Sequence, residues 1–302
     1  MRQHAGMLPT MSATQTRRPR IAIAGPGSLG NALAISLHAA GYRISEIFSR
    51  PGKGLRLRAR ALARKVGARV AVIGKDPCHA EVLWLCVPDR EIRNCAELFA
   101  RSGGWSKQIV LHSSGALSSD ELEALRKRGA SVASAHPLMT FVAGEIPSFA
   151  GVPFGIEGDR TAALVANQIA RQLGGEPFRI RKADKAAYHA WGTFASPLLT
   201  ALLVTTEQVA AAARIPRQRA RKMMLPILRQ TLANYASLGA ANSFSGPIVR
   251  GDIDTVKRHL RVLESTPVAR KVYAALAQAA IEYLPTKNKA GLRRVIERAL
   301  RR

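Results

Sequence analysis

Short apolar runs alternate with helical patterns over the first 180 residues of the chain. The runs lack polar alternation, which is typical of parallel strands buried on both faces. They lie at residues 21–24, 44–48, 69–73, 82–87, 109–111, 131–135, 152–156 and 178–180. Helical spacing of apolar residues appears between them, at residues 31–40, 55–66 and 161–173. This alternation predicts an α/β fold with a doubly wound sheet.

After about residue 181 the pattern changes to long helices. One covers residues 183–214 with a kink expected at Pro197, and a second begins at Pro216 and contains Pro226. Shorter helices are predicted at residues 253–263, 268–283 and 290–300. We therefore predict a disordered basic tail at residues 1–18, a Rossmann domain at 19–181, and an all-helical domain at 182–302 that binds substrate and forms dimers.

Composition adds limits to this picture. The 302 residues, 47% of them hydrophobic, can form two substantial cores. The three cysteines are an odd number without C-x-x-C spacing, as in reduced cytoplasmic proteins. No apolar run reaches the roughly 18 residues that a membrane span needs. We predict a soluble cytoplasmic protein, without a metal site.

The formal net charge of +26 raises the question of nucleic-acid binding. Basic residues crowd at 56–65, 214–222 and 293–302, but no aromatic residues are interleaved with them for base stacking. Solvated helix faces are therefore the favoured interpretation, and nucleic acid is not an expected partner. A nucleic-acid or membrane contact by the basic C-terminal helix stays open as an alternative.

The motif that points most directly to a ligand is the glycine-rich loop between the first strand and the first helix. In Gly25-Pro26-Gly27-Ser28-Leu29-Gly30, the first glycine allows a tight turn, the second lets the backbone approach a pyrophosphate, and the third lets helix pack on strand. The N-terminus of the following helix would supply backbone N–H groups to the phosphates, and Ser28 and Leu29 of the loop are also expected to bind the cofactor. The loop predicts dinucleotide binding.

The end of the second strand indicates which dinucleotide is bound. An NAD enzyme usually places Asp or Glu there against the ribose 2′-hydroxyl, whereas this chain has Ser49 and Arg50. A hydroxyl and a guanidinium suit a 2′-phosphate, and Lys53 and Arg56 could add charge. The predicted cofactor is NADP.

Residues that follow the later strands are candidates for chemistry, because ligands bind outside the carboxyl ends of such strands. Val87 and Pro88 are expected beside the cofactor. Ser113, Ser114 and Gly115 are expected at the substrate, although Ser114 could equally start a helix. His136 is a candidate proton donor or a packed imidazole.

The helical half contributes Lys185 and His189, which share one helix face. A lysine facing the nicotinamide could polarise a carbonyl oxygen and protonate the alkoxide, with Lys182 as the competing lysine. Arg250, in a polar turn at residues 246–252, is a candidate for binding a substrate carboxylate or for holding that turn.

The chain resembles Rossmann proteins of the 6-phosphogluconate dehydrogenase-like superfamily whose C-terminal half is a helical domain of unknown function. The resemblance spans nearly the whole chain and rests on the motifs G-P-G-S-L-G, L-H-S-S-G-A-L, A-H-P-L-M-T-F, F-G-I-E-G-D, K-A-A-Y-H and G-P-I-V-R-G-D. It implies an NADP-dependent oxidoreductase, and some relatives are linked to ketopantoate reduction. It also implies that Lys185 is the catalytic lysine, and that His189 stands where relatives often have Asn. Relatives often read F-A-S-N where this chain has F-A-S-P, so Ser196 takes the missing amide's role or the role is absent.

These observations together predict hydride transfer between NADPH and a small carbonyl compound, such as a 2-oxo acid, that carries a carboxylate. Lys185 would be the proton donor or electrostatic stabiliser, and the protein would form a homodimer through its helical domain. Two alternatives remain. One is an NADP-binding sensor or assembly protein without turnover. The other is a prephenate dehydrogenase-like enzyme, suggested by His136-Pro137 but not by the G-P-I-V-R-G-D turn.

Overall fold

A computed structural model describes residues 17–301. The tail predicted at residues 1–18 therefore lies almost wholly outside the described residues. The chain divides into two compact units, one ending at Gly192 and the other beginning at Thr193. The sequence pattern changes earlier, at about residue 181, because the last strand ends there and a helix begins within the first unit.

The first unit is built on one sheet of eight strands in the order β3-β2-β1-β4-β5-β6-β7-β8. The strands are β1 (Ile21–Ala24), β2 (Ile44–Ser49), β3 (Arg69–Val72), β4 (Val82–Leu85), β5 (Ile109–His112), β6 (Ser131–Pro137), β7 (Pro153–Gly158) and β8 (Glu176–Arg179). Neighbouring strands are parallel except β6 and β7, which are antiparallel. The predicted α/β class is confirmed, with one reversed pair that the pattern did not indicate.

Helices cover both faces of this sheet and form two separate cores. They are α1 (Ser28–Ala39), α2 (Lys53–Val66), α3 (Asp89–Ala100), α4 (Glu123–Arg126), α5 (Arg160–Gln172) and α6 (Lys185–Thr193). One core contains buried residues of α1, α2 and α5, and the other contains those of α3 and α4. All four residues of β1 and of β4 are buried because these strands lie in the middle of the sheet.

The second unit is entirely helical over its described residues, as predicted. Its helices are α7 (Leu199–Ala212), α8 (Arg217–Ser243), α9 (Pro247–Arg250), α10 (Ile253–Val262), α11 (Pro267–Tyr283) and α12 (Lys289–Leu300). Its core is formed by α10, α11 and α12, with Val256, Ala274 and Leu292 fully buried. Asp252 caps α10, because its Oδ1 accepts a hydrogen bond of 3.0 Å from the Thr255 N–H.

Two helix irregularities have local causes. The segment Phe194–Leu198 is a π-turn that contains Pro197, as expected because proline has no N–H to donate within a helix. In α8 the break falls at Gly239, whose φ of +74° is outside the helical region, and not at Pro226. The helix is therefore irregular at Pro197, and the kink expected there stays a prediction.

One helix among the described residues, Lys182–Ala212, is long and apolar enough to cross a membrane by length and composition. Helices of soluble proteins pass the same test, so a single such helix is weak evidence. The absence of a membrane span stays a prediction.

Candidate dinucleotide and active site

The glycine-rich loop joins β1 to α1, in the context that the sequence predicted. Gly25 has a φ of +108°, and a Cβ on it would lie 2.4 Å from the Cys86 carbonyl oxygen. A Cβ on Gly30 would lie 2.0 Å from the Gly25 carbonyl oxygen. Both glycines are therefore required by the close approach of α1 and β4 to the loop.

Gly27 differs from these two glycines, because a Cβ on it would meet no heavy atom within 4 Å. Gly27 is the N-cap of α1, and no side chain caps this helix. The helix therefore begins at Ser28, three residues before the sequence pattern suggested, and its first N–H groups are not used by a capping side chain. An open space beside uncapped N–H groups is the arrangement that binds a pyrophosphate.

A cavity of about 290 Å³ lies against this loop. Its lining includes Gly27, Ser28 and Asn31 from the loop and α1, and the cations Arg58 and Lys65 from α2. Glu145, in the segment after β6, also lines it. Two cations beside a helix N-terminus fit the negative charge of a dinucleotide.

The two residues proposed to read a 2′-phosphate occupy different environments. Ser49 is fully buried, and its hydroxyl has no hydrogen-bond partner among the described residues. The Ser49 side chain thus does not face open space, and its predicted phosphate contact is not supported by its position. Arg50 is partly exposed and forms an ion pair with Glu91, at 2.9 Å between Nη1 and Oε1.

The segment after β4 lies against the glycine loop. Val87 N would be 3.1 Å from a Cβ on Gly25, and Pro88 is the N-cap of α3. The Cys86 thiol hydrogen-bonds Ser113, and burial raises the pKa of that thiol to about 12. The Ser113 hydroxyl also accepts a hydrogen bond of 2.7 Å from Trp84 Nε1. These contacts link the glycine loop to the turn after β5.

The turn after β5, Ser113-Ser114-Gly115, is stabilised by hydrogen bonds of Ser114 to Asp89, Leu117 and His112. The Ser114 hydroxyl donates to Asp89 Oδ2 at 2.7 Å and accepts from the backbone N–H of Leu117 at 2.9 Å. The Ser114 N–H donates to His112 Nδ1 at 3.1 Å, and His112 Nε2 lies 3.0 Å from the Ser118 carbonyl oxygen. His112 is therefore neutral, with its hydrogen on Nε2. Burial lowers the pKa of His112 to about 3, in agreement with this state.

Lys185 lies under the same turn, at the start of α6. Its Nζ donates to the Ser114 carbonyl oxygen at 2.8 Å and to the Ser134 hydroxyl at 2.6 Å, and only 1% of the residue is exposed. Burial lowers the pKa of Lys185 to about 8, against the opposing effects of Glu157 and Asp89. The amine therefore remains mostly protonated at neutral pH, and it is enclosed by protein.

Three aromatic rings and a glycine complete this site, and of these the half-buried His136 and the exposed His189 are accessible. His136 Nδ1 lies 3.0 Å from the Tyr188 hydroxyl, and the rings of His136 and His189 are 6.1 Å apart. A Cβ on Gly115 would be 2.6 Å from His189 Cδ2 and 2.9 Å from His136 Nε2. Burial lowers the pKa of His136 to about 4, followed by the effects of Lys185 and His189, so this imidazole is neutral at neutral pH.

The structure thus brings together Ser113, Ser114, Gly115, His136, Lys185 and His189, all within the first unit. Sequence reasoning missed Asp89, Ser134 and Tyr188, which complete the hydrogen bonds. Asp89 could have been found from its place directly after Val87-Pro88, but Ser134 carries no local signal.

Two predicted substrate contacts belong to the second unit. Ser196 lies in the π-turn, where its carbonyl oxygen accepts a hydrogen bond from the Thr200 hydroxyl. Arg250 ends α9 and is exposed. Their contact with substrate stays a prediction. Among residues 17–301, no group of three or more His, Cys, Asp and Glu side chains could hold a metal ion.

Two family models match the chain in succession. A Rossmann-like domain matches residues 7–137, and a domain of unknown function, DUF2520, matches residues 152–280. The chain therefore combines a Rossmann-like domain with a DUF2520 domain. The arrangement that the motifs predicted is confirmed, while the link to ketopantoate reductases stays a prediction. No curated protein sequence matches this Rossmann and DUF2520 chain.

Solved structures share the fold of the chain. A candidate NADP oxidoreductase from Bacteroides fragilis has a TM-score of 0.74 at 20% identity, over 87% of this chain and 97% of that one. Protein TM1727 from Thermotoga maritima has a TM-score of 0.67 at 24% identity, over 93% and 100%. A reductive aminase from Aspergillus terreus, in complex with NADPH and ethyl-5-oxohexanoate, has a TM-score of 0.63 at 14% identity, over 91% and 98%.

Proposed function

We propose that this Rossmann and DUF2520 protein is an NAD(P)-dependent oxidoreductase that transfers a hydride between NADPH and a small carbonyl substrate of the 2-oxo acid type. The observation that carries the proposal is the series of contacts within one unit from the glycine loop through Cys86 to the Ser113-Ser114 turn, whose Ser114 carbonyl oxygen binds Lys185. Phosphate-binding backbone and a buried lysine thus lie at the same edge of the sheet, where ligands of such folds bind. The likeness to NADP-linked reductases supports the same class.

The loop Gly25–Gly30 would hold the pyrophosphate of the dinucleotide, and Val87 and Pro88 would lie beside it. When bound, the reduced dinucleotide supplies the hydride. The chain's own residues would bind the carbonyl oxygen and provide the positive potential that its developing negative charge requires.

Lys185 supplies that potential in our proposal. Its amine is enclosed, so it acts through the field of its charge and through its hold on the Ser114 carbonyl, not by direct contact with substrate. In a water-poor site a fixed positive charge is worth more than in water, because the local dielectric is low.

In our proposal, His136 and His189 contact the substrate oxygen. When the Tyr188 hydroxyl donates to His136 Nδ1, the ring hydrogen is on Nε2, next to Gly115. A neutral imidazole can donate a hydrogen bond to the carbonyl oxygen, and the exposed His189 can deliver the proton.

The test is a turnover assay with purified protein, NADPH or NADH, and a panel of 2-oxo acids and ketones. The panel is run with and without an amine, because the fold is shared with a reductive aminase and imine reduction is the second candidate reaction. Loss of nicotinamide absorbance with a 2-oxo acid supports the proposal, and loss only in the presence of amine supports imine reduction. Tight dinucleotide binding without turnover of any compound would instead support the sensor hypothesis.

Variants assign the residues in the same assay. His136→Asn should lower turnover by about 100-fold, in the range typical of a lost acid or base. Lys185→Met should lower it by a similar factor while NADPH affinity changes by less than about two-fold. Lys182→Met is the matched control, since this exposed lysine pairs with Asp120 away from the turn.

We also propose that the helical unit forms a homodimer. The helix α8 is 27 residues long and buries one residue, Ala220. Its exposed apolar side chains include Met223, Leu225, Ile227, Leu232, Tyr235 and Leu238. A second copy of the chain is the simplest cover for such a stripe. Sedimentation should show a dimer at micromolar concentration and a monomer for Leu232→Glu, while Arg229→Glu on the same helix should remain dimeric.

The three cysteines, Cys78, Cys86 and Cys95, are free. Free cysteines suit a reducing compartment, and we keep the cytoplasm as the proposed location.

A further inference from the structure

Arg50 and Glu91 form an ion pair at the end of strand β2. Arg50 is the first residue after β2, and Glu91 lies in the first turn of α3. Nη1 of Arg50 is 2.9 Å from Oε1 of Glu91, and the two side chains are 32% and 21% exposed. The exposed Arg90 approaches the same carboxylate oxygen at 3.6 Å. The pair is thus a partly buried ion pair at close distance.

This ion pair lies where dinucleotide-binding folds distinguish NAD from NADP. At the end of the second strand, dinucleotide-binding folds use an acidic residue to accept hydrogen bonds from the ribose 2′-hydroxyl of NAD, or an arginine to bind the 2′-phosphate of NADP. In this chain an arginine, Arg50, and an acidic residue, Glu91, both lie at this position. The two side chains form an ion pair with each other.

The charges of this pair also act on a second residue of α3. Burial raises the pKa of Cys95, one turn further along α3, to about 11, while Arg50 lowers it and Glu91 raises it. Both charged groups are therefore near Cys95. With the salt-bridge distance, this places the positive charge of Arg50 against Glu91.

We propose that Glu91 is a specificity-determining residue, which competes with the 2′-phosphate of NADPH for Arg50 and so narrows the preference for NADPH over NADH. The proposal rests on the proposed dinucleotide function and deepens it. A 2′-phosphate carries nearly two negative charges, and the Glu91 carboxylate both holds Nη1 of Arg50 and repels those charges, so phosphate and carboxylate compete for the guanidinium. A 2′-hydroxyl makes no such demand, and the pair can stay closed when NADH binds.

The experiment measures binding by isothermal titration calorimetry, independently of turnover. Wild type, Glu91→Gln and the control Glu97→Gln are each titrated with NADPH and NADH. Glu97 is an exposed residue of the same helix, so its replacement removes the same charge at a distance from Arg50. Glu91→Gln should tighten NADPH binding by about five- to ten-fold and change NADH binding by less than about two-fold, because only the phosphate gains a free partner. Glu97→Gln should change neither by more than about two-fold.

A double-mutant cycle with Arg50→Gln tests whether the effect passes through the guanidinium. In the Arg50→Gln background, Glu91→Gln should have lost most of its effect on NADPH affinity. Full retention of the gain would overturn the competition, since it would mean that Glu91 only repels the phosphate through space. Titration with 2′,5′-ADP and ADP should reproduce the difference between NADPH and NADH.

The outcomes separate this inference from the proposed function. If wild type binds neither dinucleotide, the proposed function is wrong. If wild type binds NADPH but Glu91→Gln leaves the ratio of NADPH to NADH affinity unchanged, the function stands and the role of Glu91 is wrong. Melting temperatures of the variants within about 2 °C of wild type show that both ion-pair residues can be replaced without loss of the fold.

Discussion

Because the amine of Lys185 is buried, the stability of the first unit should change with pH in the alkaline range. Burial lowers its pKa from 10.5 to about 8, although Glu157 and Asp89 act in the opposite direction. The residue is only 1% exposed, so solvent screens this effect little. The change that should affect stability is therefore the loss of the Lys185 proton.

The sign follows from proton binding. Between about pH 8 and 10.5 the unfolded chain keeps the lysine proton that the folded protein has lost. Unfolding then takes up a proton, and stability rises with pH in this interval. Equivalently, the stabilisation is complete above 10.5 and is lost as the pH falls through about 8. The difference between the two pKa values corresponds to roughly 3 kcal/mol.

The assay is urea unfolding of wild type and Lys185→Met at several pH values from about 7 to about 10.5. Fluorescence of the buried Trp84 and Trp105 follows the first unit. The free energy of unfolding of wild type minus that of Lys185→Met should rise by about 3 kcal/mol over the interval, because other titrating groups cancel in the difference. Lys182→Met controls for the removal of a lysine from the same segment.

A flat difference between wild type and Lys185→Met would refute the reasoning. It would mean that the folded protein keeps the Lys185 proton as firmly as the unfolded chain does. The two hydrogen bonds to Ser114 and Ser134 would then compensate fully for the burial of the charge. A difference that fell with pH would refute the sign as well.

The other predictions concern backbone approach and one buried hydrogen bond. Gly30→Ala should destabilise the first unit by about 3 kcal/mol or more in denaturant titration, because the added Cβ meets a backbone oxygen. Gly27→Ala should change the free energy of unfolding by no more than about 0.5 kcal/mol. It should weaken dinucleotide binding at least about ten-fold, since the added Cβ occupies the open space at the loop. Unchanged binding by Gly27→Ala would place the phosphates elsewhere. Gly115→Ala should displace two imidazoles and lower kcat at least about ten-fold, and wild-type kcat would disprove that packing. Trp84→Phe should cost about 1 to 3 kcal/mol by leaving the buried Ser113 hydroxyl without its donor, and no loss of stability would show that this bond contributes nothing.

The sheet could be predicted because its central strands are apolar on both faces. Val82–Leu85 and Ile21–Ala24 are wholly buried, so their composition alone indicates their position. The direction of β7 could not be predicted, since an apolar run has the same pattern in parallel and antiparallel pairs. The start of α1 was placed three residues late because Gly30 has a low helix propensity, although it lies in the first turn.

Site residues could be predicted where a polar residue directly follows a strand. They could not be predicted where the direction of a side chain depends on a partner far away in the sequence. Ser114 and Lys185 are 71 residues apart, and Ser134 and Lys185 are 51 apart, so no local pattern encodes their contacts. Arg50 is another residue whose contacts could not be predicted from the local sequence. Its place after β2 is the one expected for a residue that binds a 2′-phosphate, yet its guanidinium pairs with Glu91, 41 positions later in the chain. The type of residue at a strand end therefore does not show whether its charge is available to a phosphate, because that depends on which carboxylates the fold brings near it. The Glu91 variants measure this dependence, and the binding of NADPH and NADH by wild type measures the cofactor preference itself.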